Sequence, residues 1–175
     1  YVVLMAMLAL NISTEVLNGF SIVEESLNRT TSNSSKENES IYSDFLEQMK
    51  TNPEKVKAWF DKATMVKQMS DSLYNYAQSL KEQIVKEADG DDADLNNIVG
   101  KDNLEAAAHV MLAPGTGQGK KLYDAINSYR ERILKMVNDD HQRQLIAENL
   151  STKIPKKGNA LGKNWQEYMF ESMPV

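Results

Sequence analysis

The stretch YVVLMAMLALNISTEVLNGFSIV, residues 1–23, decides how the rest of the chain is read. From Tyr1 to Leu10 there is no charge and no hydrogen-bonding side chain except the Tyr1 hydroxyl. A helix crossing the bilayer core needs about 20 mainly apolar residues, so the run to Leu10 is short by itself. Apolar spacing nevertheless continues at helical intervals through Ile12, Val16, Leu17, Phe20 and Val23. A signal peptide fits poorly, because no small-residue cleavage site follows and the helical pattern goes on. A buried helix of a soluble domain is the other reading of so short a run. The pattern predicts a transmembrane helix over residues 1–23, truncated at its N-terminus because the chain begins at Tyr rather than Met.

Polar groups come directly after the apolar run: Asn11, Ser13, Thr14 and Glu15. An amide or carboxyl group at membrane depth is costly unless it faces a partner helix or the interface. Asn11 and Ser13 are therefore candidates for hydrogen bonds to a partner helix within the bilayer. Glu15 belongs to the same candidate set, with the competing reading that it marks where the helix leaves the lipid.

Residues 24–40, EESLNRTTSNSSKENES, carry no apolar face. Their Ser, Thr and Asn weaken a helix by competing for backbone hydrogen bonds, which suits a flexible linker. Yet no Pro or Gly interrupts residues 21–51, and apolar spacing resumes at Ile41, Phe45 and Met49, with Leu46 beside them. A helix continuing through this stretch is expected. Asn52-Pro53-Glu54 then reads as a helix start: a capping Asn, Pro at the first position, and an acid near the positive dipole end. The next helix carries Val56, Trp59, Ala63, Val66, Met69, Leu73, Tyr76, Leu80 and Ile84 at steps of three and four, a buried seam. If it reaches Gly90 it is about 55 Å long. In this register Trp59 is a core residue, and its truncation to Ala is expected to cost about 3–5 kcal/mol.

The acidic turn ADGDDADLNN closes that helix at residues 88–97. Counted from Asp89, the twelfth position is Gly100, where a calcium loop needs a closing Glu, so the calcium reading fails. Asp102-Asn103-Leu104-Glu105 resembles a capping box and opens a short helix over Leu104, Ala107, Ala108, Met111 and Leu112. The next segment, PGTGQGKKL, imitates a phosphate-binding loop. Its glycines at 115 and 119 stand one residue too close, and Lys121 occupies the place of the magnesium-binding hydroxyl. It reads as a tight, flexible helix connection. Leu122, Ile126, Tyr129, Ile133 and Met136 define another amphipathic helix, with Arg130 and Arg132 on its wet side. A short segment over residues 139–150 turns Leu145, Ile146 and Leu150 inward. After the basic loop TKIPKKGNALGKN, Asn164 caps a last helix with Trp165, Tyr168, Met169 and Phe170. The end at Met173-Pro174-Val175 has no closing polar tail, which suggests truncation there too.

Few Gly and Pro among 175 residues favour helices over sheet turns. A net charge of −5 argues against nucleic acid as a partner. Zero Cys removes disulfides, thiolate metal sites and Cys nucleophiles. His109 and His141 fall in separate segments without metal-ligand spacing, and no catalytic constellation can be assembled. No enzymatic activity, metal or cofactor is expected. The fold class expected is all-α, a transmembrane helix at 1–23 leading into a helical bundle domain at 24–175.

The string LMAMLALNISTEVLNGF resembles the start of the GldM/PorM family, single-span motor subunits of the type IX secretion and gliding machinery. The closing NWQEYMFESMPV is also similar to the family's. The resemblance implies an inner-membrane protein whose bulk is periplasmic. It implies a homodimer whose membrane helices sit inside a pentameric ring of a second membrane protein, GldL/PorL. Proton-motive force would drive rotation. Further domains absent here would carry torque to outer-membrane-associated secretion components. The resemblance also implies a coupling role for an intramembrane Tyr where Tyr1 stands. The family's basic residue lies upstream of this sequence, which leaves the proton path incomplete. A sensor ectodomain is the alternative from another class, and it would need a second membrane span. A passive scaffold shares every feature of the motor.

Overall fold

The computed structural model describes residues 14–156 and 162–175, and the chain divides into two compact units, Tyr1–Met65 and Val66–Val175. All regular structure among the described residues is helical. In chain order the helices are α1 (Thr14–Thr51), α2 (Pro53–Asp89), α3 (Ala106–Leu112), α4 (Gly119–Met136), α5 (Asp140–Asn149) and α6 (Trp165–Phe170). Among the described residues no helix is long and apolar enough to cross a membrane. The expected transmembrane segment falls largely in residues 1–13, outside those described.

In the first unit α1 runs unbroken through the polar stretch, in keeping with the absence of Pro and Gly there. Residues 24–40 are all exposed. The Thr30 hydroxyl donates to the Ser26 carbonyl at 2.9 Å, so a residue that competes for backbone groups does so within the helix. The first turns of α2 fold back along the end of α1. Tyr42 stacks on Phe60 with ring centroids 5.6 Å apart, and its hydroxyl shares a 3.0 Å hydrogen bond with Thr64. Pro53 suits the join because the missing N–H falls where a helix start leaves one unpaired anyway.

The register of this hairpin differs from the expectation in two places. Trp59 is 64% exposed, with the Lys62 ammonium 5.2 Å from its ring, and Phe60 takes the inward position. Tyr42, not Ile41, turns inward on α1 beside Phe45 and Met49. Both Val56-Trp59-Ala63 and Val56-Phe60-Ala63 step by three and four, so periodicity cannot choose between adjacent aromatics. The partner's geometry chooses. Trp59→Ala is accordingly expected to change stability by less than about 0.5 kcal/mol, as surface substitutions do. Phe60→Ala, which empties a half-buried site and ends the stack on Tyr42, should cost about 1–2 kcal/mol, short of the figure for a fully buried ring. Chemical denaturation of the two variants side by side checks the register.

The second unit holds all the buried apolar side chains among the described residues: Met69, Leu80 and Val85 of α2, Ala106, Ala107 and Met111 of α3, and Ile133 of α4. Here the predicted seam of α2 holds from Val66 to Ile84. Ser70 and Tyr129 share a 2.7 Å hydrogen bond, joining α2 to α4. The Tyr76 hydroxyl oxygen is closed off from solvent with no hydrogen-bond partner, and burial pushes its pKa up from the ordinary tyrosine value. Helix α3 packs on α4 and α6, and α4 also packs on α5 and α6. Small residues permit these approaches. Ala106 and Ala107 lie in the core, and Gly119, the buried first residue of α4, sits against Gln166 of α6 and the Met111 carbonyl.

The connections are held by side chains. Asp89 accepts the N–H groups of Val99 (2.9 Å) and Gly100 (2.7 Å), so the acidic turn is tied to the end of α2. The expected capping box at Asp102 does not form: α3 starts at Ala106 with Glu105 at its N-cap making no side-chain cap bond, and Asn103 Oδ1 just ahead accepts the N–H groups of Glu105 and Ala106 at 2.9 Å each. Asp139 caps α5 through the Gln142 N–H, and Asn164 makes a reciprocal capping box with Glu167. Leu145 is exposed, whereas Ile146 and Leu150 turn inward as expected.

Candidate partner-helix surface

The membrane-side candidates divide unevenly. Tyr1, Asn11 and Ser13 lie outside the described residues. Glu15 is exposed in the first turn of α1, where the helix dipole favours an acid.

Beyond Glu15, α1 presents an exposed apolar stripe. Val16, Phe20, Val23 and Leu27 recur at steps of four, three and four, so they line one side of α1. Phe20 is 56%, Val23 55% and Leu27 62% exposed. The steps average about 3.7 residues, close to the helical period of 3.6, so the stripe holds one face of α1 over about three turns. The same side then turns polar at Ser34 and Asn38. No described residue of the first unit is fully buried, whereas the second unit has a core of seven. Burial of apolar surface is the main favourable term in both folding and association. The first unit leaves much of that term unused.

Elsewhere the arrangement is structural. Arg130, expected on the wet side of α4, is instead half-buried. Its guanidinium donates to the Leu150 carbonyl at 2.9 Å and to Asn127 Oδ1. Thr152 donates to the same Asn127 oxygen at 3.0 Å. Arg143 donates to the carbonyls of Leu134 and, at 2.9 Å, Val137, closing the negative end of α4. Sequence reading missed both arginines because their acceptors are backbone carbonyls elsewhere in the fold, which leave no mark in spacing. His109 pairs with Glu87 at 2.6 Å on the surface. Among the described residues no group of His, Cys, Asp or Glu could hold a metal ion.

The glycine loop after α3 is a packing device. Pro114 and Gly115 (φ 79°) make the turn, and the Gly117 N–H donates to the Ala113 carbonyl at 2.7 Å. A Cβ on Gly117 would lie 2.7 Å from the Met111 oxygen and 2.8 Å from that of Ala113. Carbonyl oxygens crowd this position, and Lys120 pairs with Asp124 on its own helix. The connection is tight, and its glycines serve close contact.

The profile of the GldM N-terminal domain matches residues 15–175, from the first turn of α1 to the last residue. The chain belongs to the GldM family. Membership covers both units and the apolar stripe of α1, while residues 1–14 lie outside the match. It implies a component of the gliding and type IX secretion apparatus, in a family of structural or motor subunits rather than of enzymes. No curated protein matches the chain.

Proposed function

We propose that this GldM-family domain is the membrane-anchored subunit of a rotary motor driven by the proton-motive force and powering type IX secretion. Its N-terminal helix spans the inner membrane once, and the bulk of the chain stands in the periplasm. Two copies pair, and their membrane helices sit within a pentameric ring of the GldL/PorL type. The bundle carries torque outward, through further domains, to secretion components at the outer membrane.

The observation that carries the reading is the stripe Val16-Phe20-Val23-Leu27. It lies on the helix that the apolar run enters, in a unit with no fully buried described residue. A second copy would cover that stripe with an identical one, the self-complementary contact of a two-fold dimer. Helix α1 also runs without a break for 38 residues, from Thr14 to Thr51, directly after the apolar run in sequence.

Because the chain has no Cys, single substitutions give an unambiguous test. Val23→Cys and Leu27→Cys should form disulfide-linked dimers in membranes under mild oxidation, since paired stripes bring equivalent residues within the roughly 4.4–6.8 Å Cα separation that a disulfide requires. Glu25→Cys, on the far side of the helix, should not. Equal yields at all three positions, or none at any, would remove the paired-helix basis of the reading.

A further inference from the structure

The second unit contains an open cavity of about 700 Å³, walled by one side of α4, the segment after α5, and the start of α6. Its size falls within the range of about 300–1,000 Å³ in which proteins hold small molecules. Its chemistry is one-sided. Lys120, Arg130 and Lys153 line it, and among the described residues no carboxylate does, in a chain whose net charge is −5.

Arg130 is the decisive group. Its guanidinium is half-buried, and its hydrogen bonds go to a backbone carbonyl and a side-chain amide, both neutral. Those acceptors fix its position and leave its charge uncompensated. A cation removed from bulk water without a counter-ion is costly, and a bound anion relieves that cost. Lys153 makes no ion pair among the described residues, whereas Lys120 is paired with Asp124. Aromatic rings line the cavity as well. Trp165 and Tyr123 stand with ring centroids 5.6 Å apart, and Phe170 buttresses Trp165 edge-on at 5.9 Å. A half-buried cation and an aromatic pair lining the same cavity make a two-part recognition element.

We infer that this cavity binds a small anionic ligand, its carboxylate or phosphate group held by Arg130 and Lys153 and its planar or apolar part against Trp165 and Tyr123. The site is independent of the motor reading. It belongs to the second unit, whereas the stripe of α1 belongs to the first, and it would operate equally in a scaffold. The anion would join the segment after α5 to α4 and α6, so occupancy should stiffen the unit that forms the domain's core.

The test uses the full chain carrying Trp59→Phe, which removes the other tryptophan, so that fluorescence reports Trp165 alone. N-acetylphenylalaninate is titrated against its uncharged amide, and inorganic phosphate is titrated separately. The carboxylate should bind saturably, and the amide at least about tenfold more weakly, a difference of about 1.4 kcal/mol. Lys153→Gln should weaken the carboxylate several-fold, and Arg130→Gln by about tenfold or more, as expected for a lost charge-assisted hydrogen bond. Arg130 also holds the Leu150 carbonyl, so Arg130→Gln could act through the fold. The exposed Lys153 has no such duty, and its variant keeps the test decisive. Phosphate that competes with the carboxylate assigns the shared anion subsite. Phosphate that fails while the carboxylate binds assigns a carboxylate ligand. Equal affinity for carboxylate and amide, no saturable binding of either anion, or a Lys153→Gln variant that binds like the parent would overturn the inference.

Discussion

Met111→Ala is expected to destabilise the second unit by about 2–5 kcal/mol, the range for truncating a long buried apolar side chain. Met111 is 2% exposed and sits on α3, the short helix that packs against both α4 and α6. Two features place the cost in the upper part of that range. Helix α3 runs only from Ala106 to Leu112, so it has little intrinsic helical stability and depends on its buried face. Ala106 and Ala107, buried about a turn back on the same helix, are too small to fill the space that Met111 would leave. The readout is denaturant unfolding followed by Trp165 fluorescence, because Trp165 is on α6 and reports the unit in question. Unfolding at the parent's midpoint would mean that α3 is not a core element.

Gly119→Ala should destabilise as well, although alanine is the better helix former. The substitution gains up to about 1 kcal/mol in helix propensity. Against that, the new Cβ would lie 2.7 Å from Gln166 Cβ and 2.9 Å from the Met111 carbonyl oxygen, neither of them the mobile end of a side chain. Overpacking of this kind costs about 1–3 kcal/mol, and α4 or α6 must shift to admit the methyl group. Steric exclusion outweighs propensity. Lys120→Ala, one residue along and exposed, should leave the unfolding midpoint near the parent's. If Gly119→Ala melts above the parent, the approach of α4 to α6 is looser than described.

These two positions show what could be read from residue order and what could not. The helix starts at Pro53 and Asn164, the end of α2 at Asp89, and the core face of α4 from Leu122 to Met136 arise from local rules, because caps and periodicity act over one or two turns. The exchange of Trp59 for Phe60 and of Ile41 for Tyr42 arose because adjacent residues satisfy the same spacing, and only the facing helix distinguishes them. Arg130 looked solvated because its acceptor at Leu150 is 20 residues away. Gly119 looked like part of a failed nucleotide loop because nothing in the motif reveals that Gln166 will press against it. On the membrane side, legibility was of another kind. Glu15 is exposed at the head of α1, and its role, like those of Tyr1, Asn11 and Ser13, rests on the polarity pattern and on the family resemblance.

The motor reading is tested most directly by separating assembly from work. Asn11→Leu removes an interhelical hydrogen bond worth about 0.6–2 kcal/mol while making the segment more apolar, so insertion should not suffer. Tyr1→Phe deletes one hydroxyl and keeps the ring. The measurement is co-purification of each variant with the ring-forming membrane protein, alongside secretion of a reporter from the same cells. The account predicts normal assembly and impaired secretion for both. Variants that assemble and secrete like the parent would contradict it, leaving the N-terminal helix as an anchor and the domain as a passive scaffold.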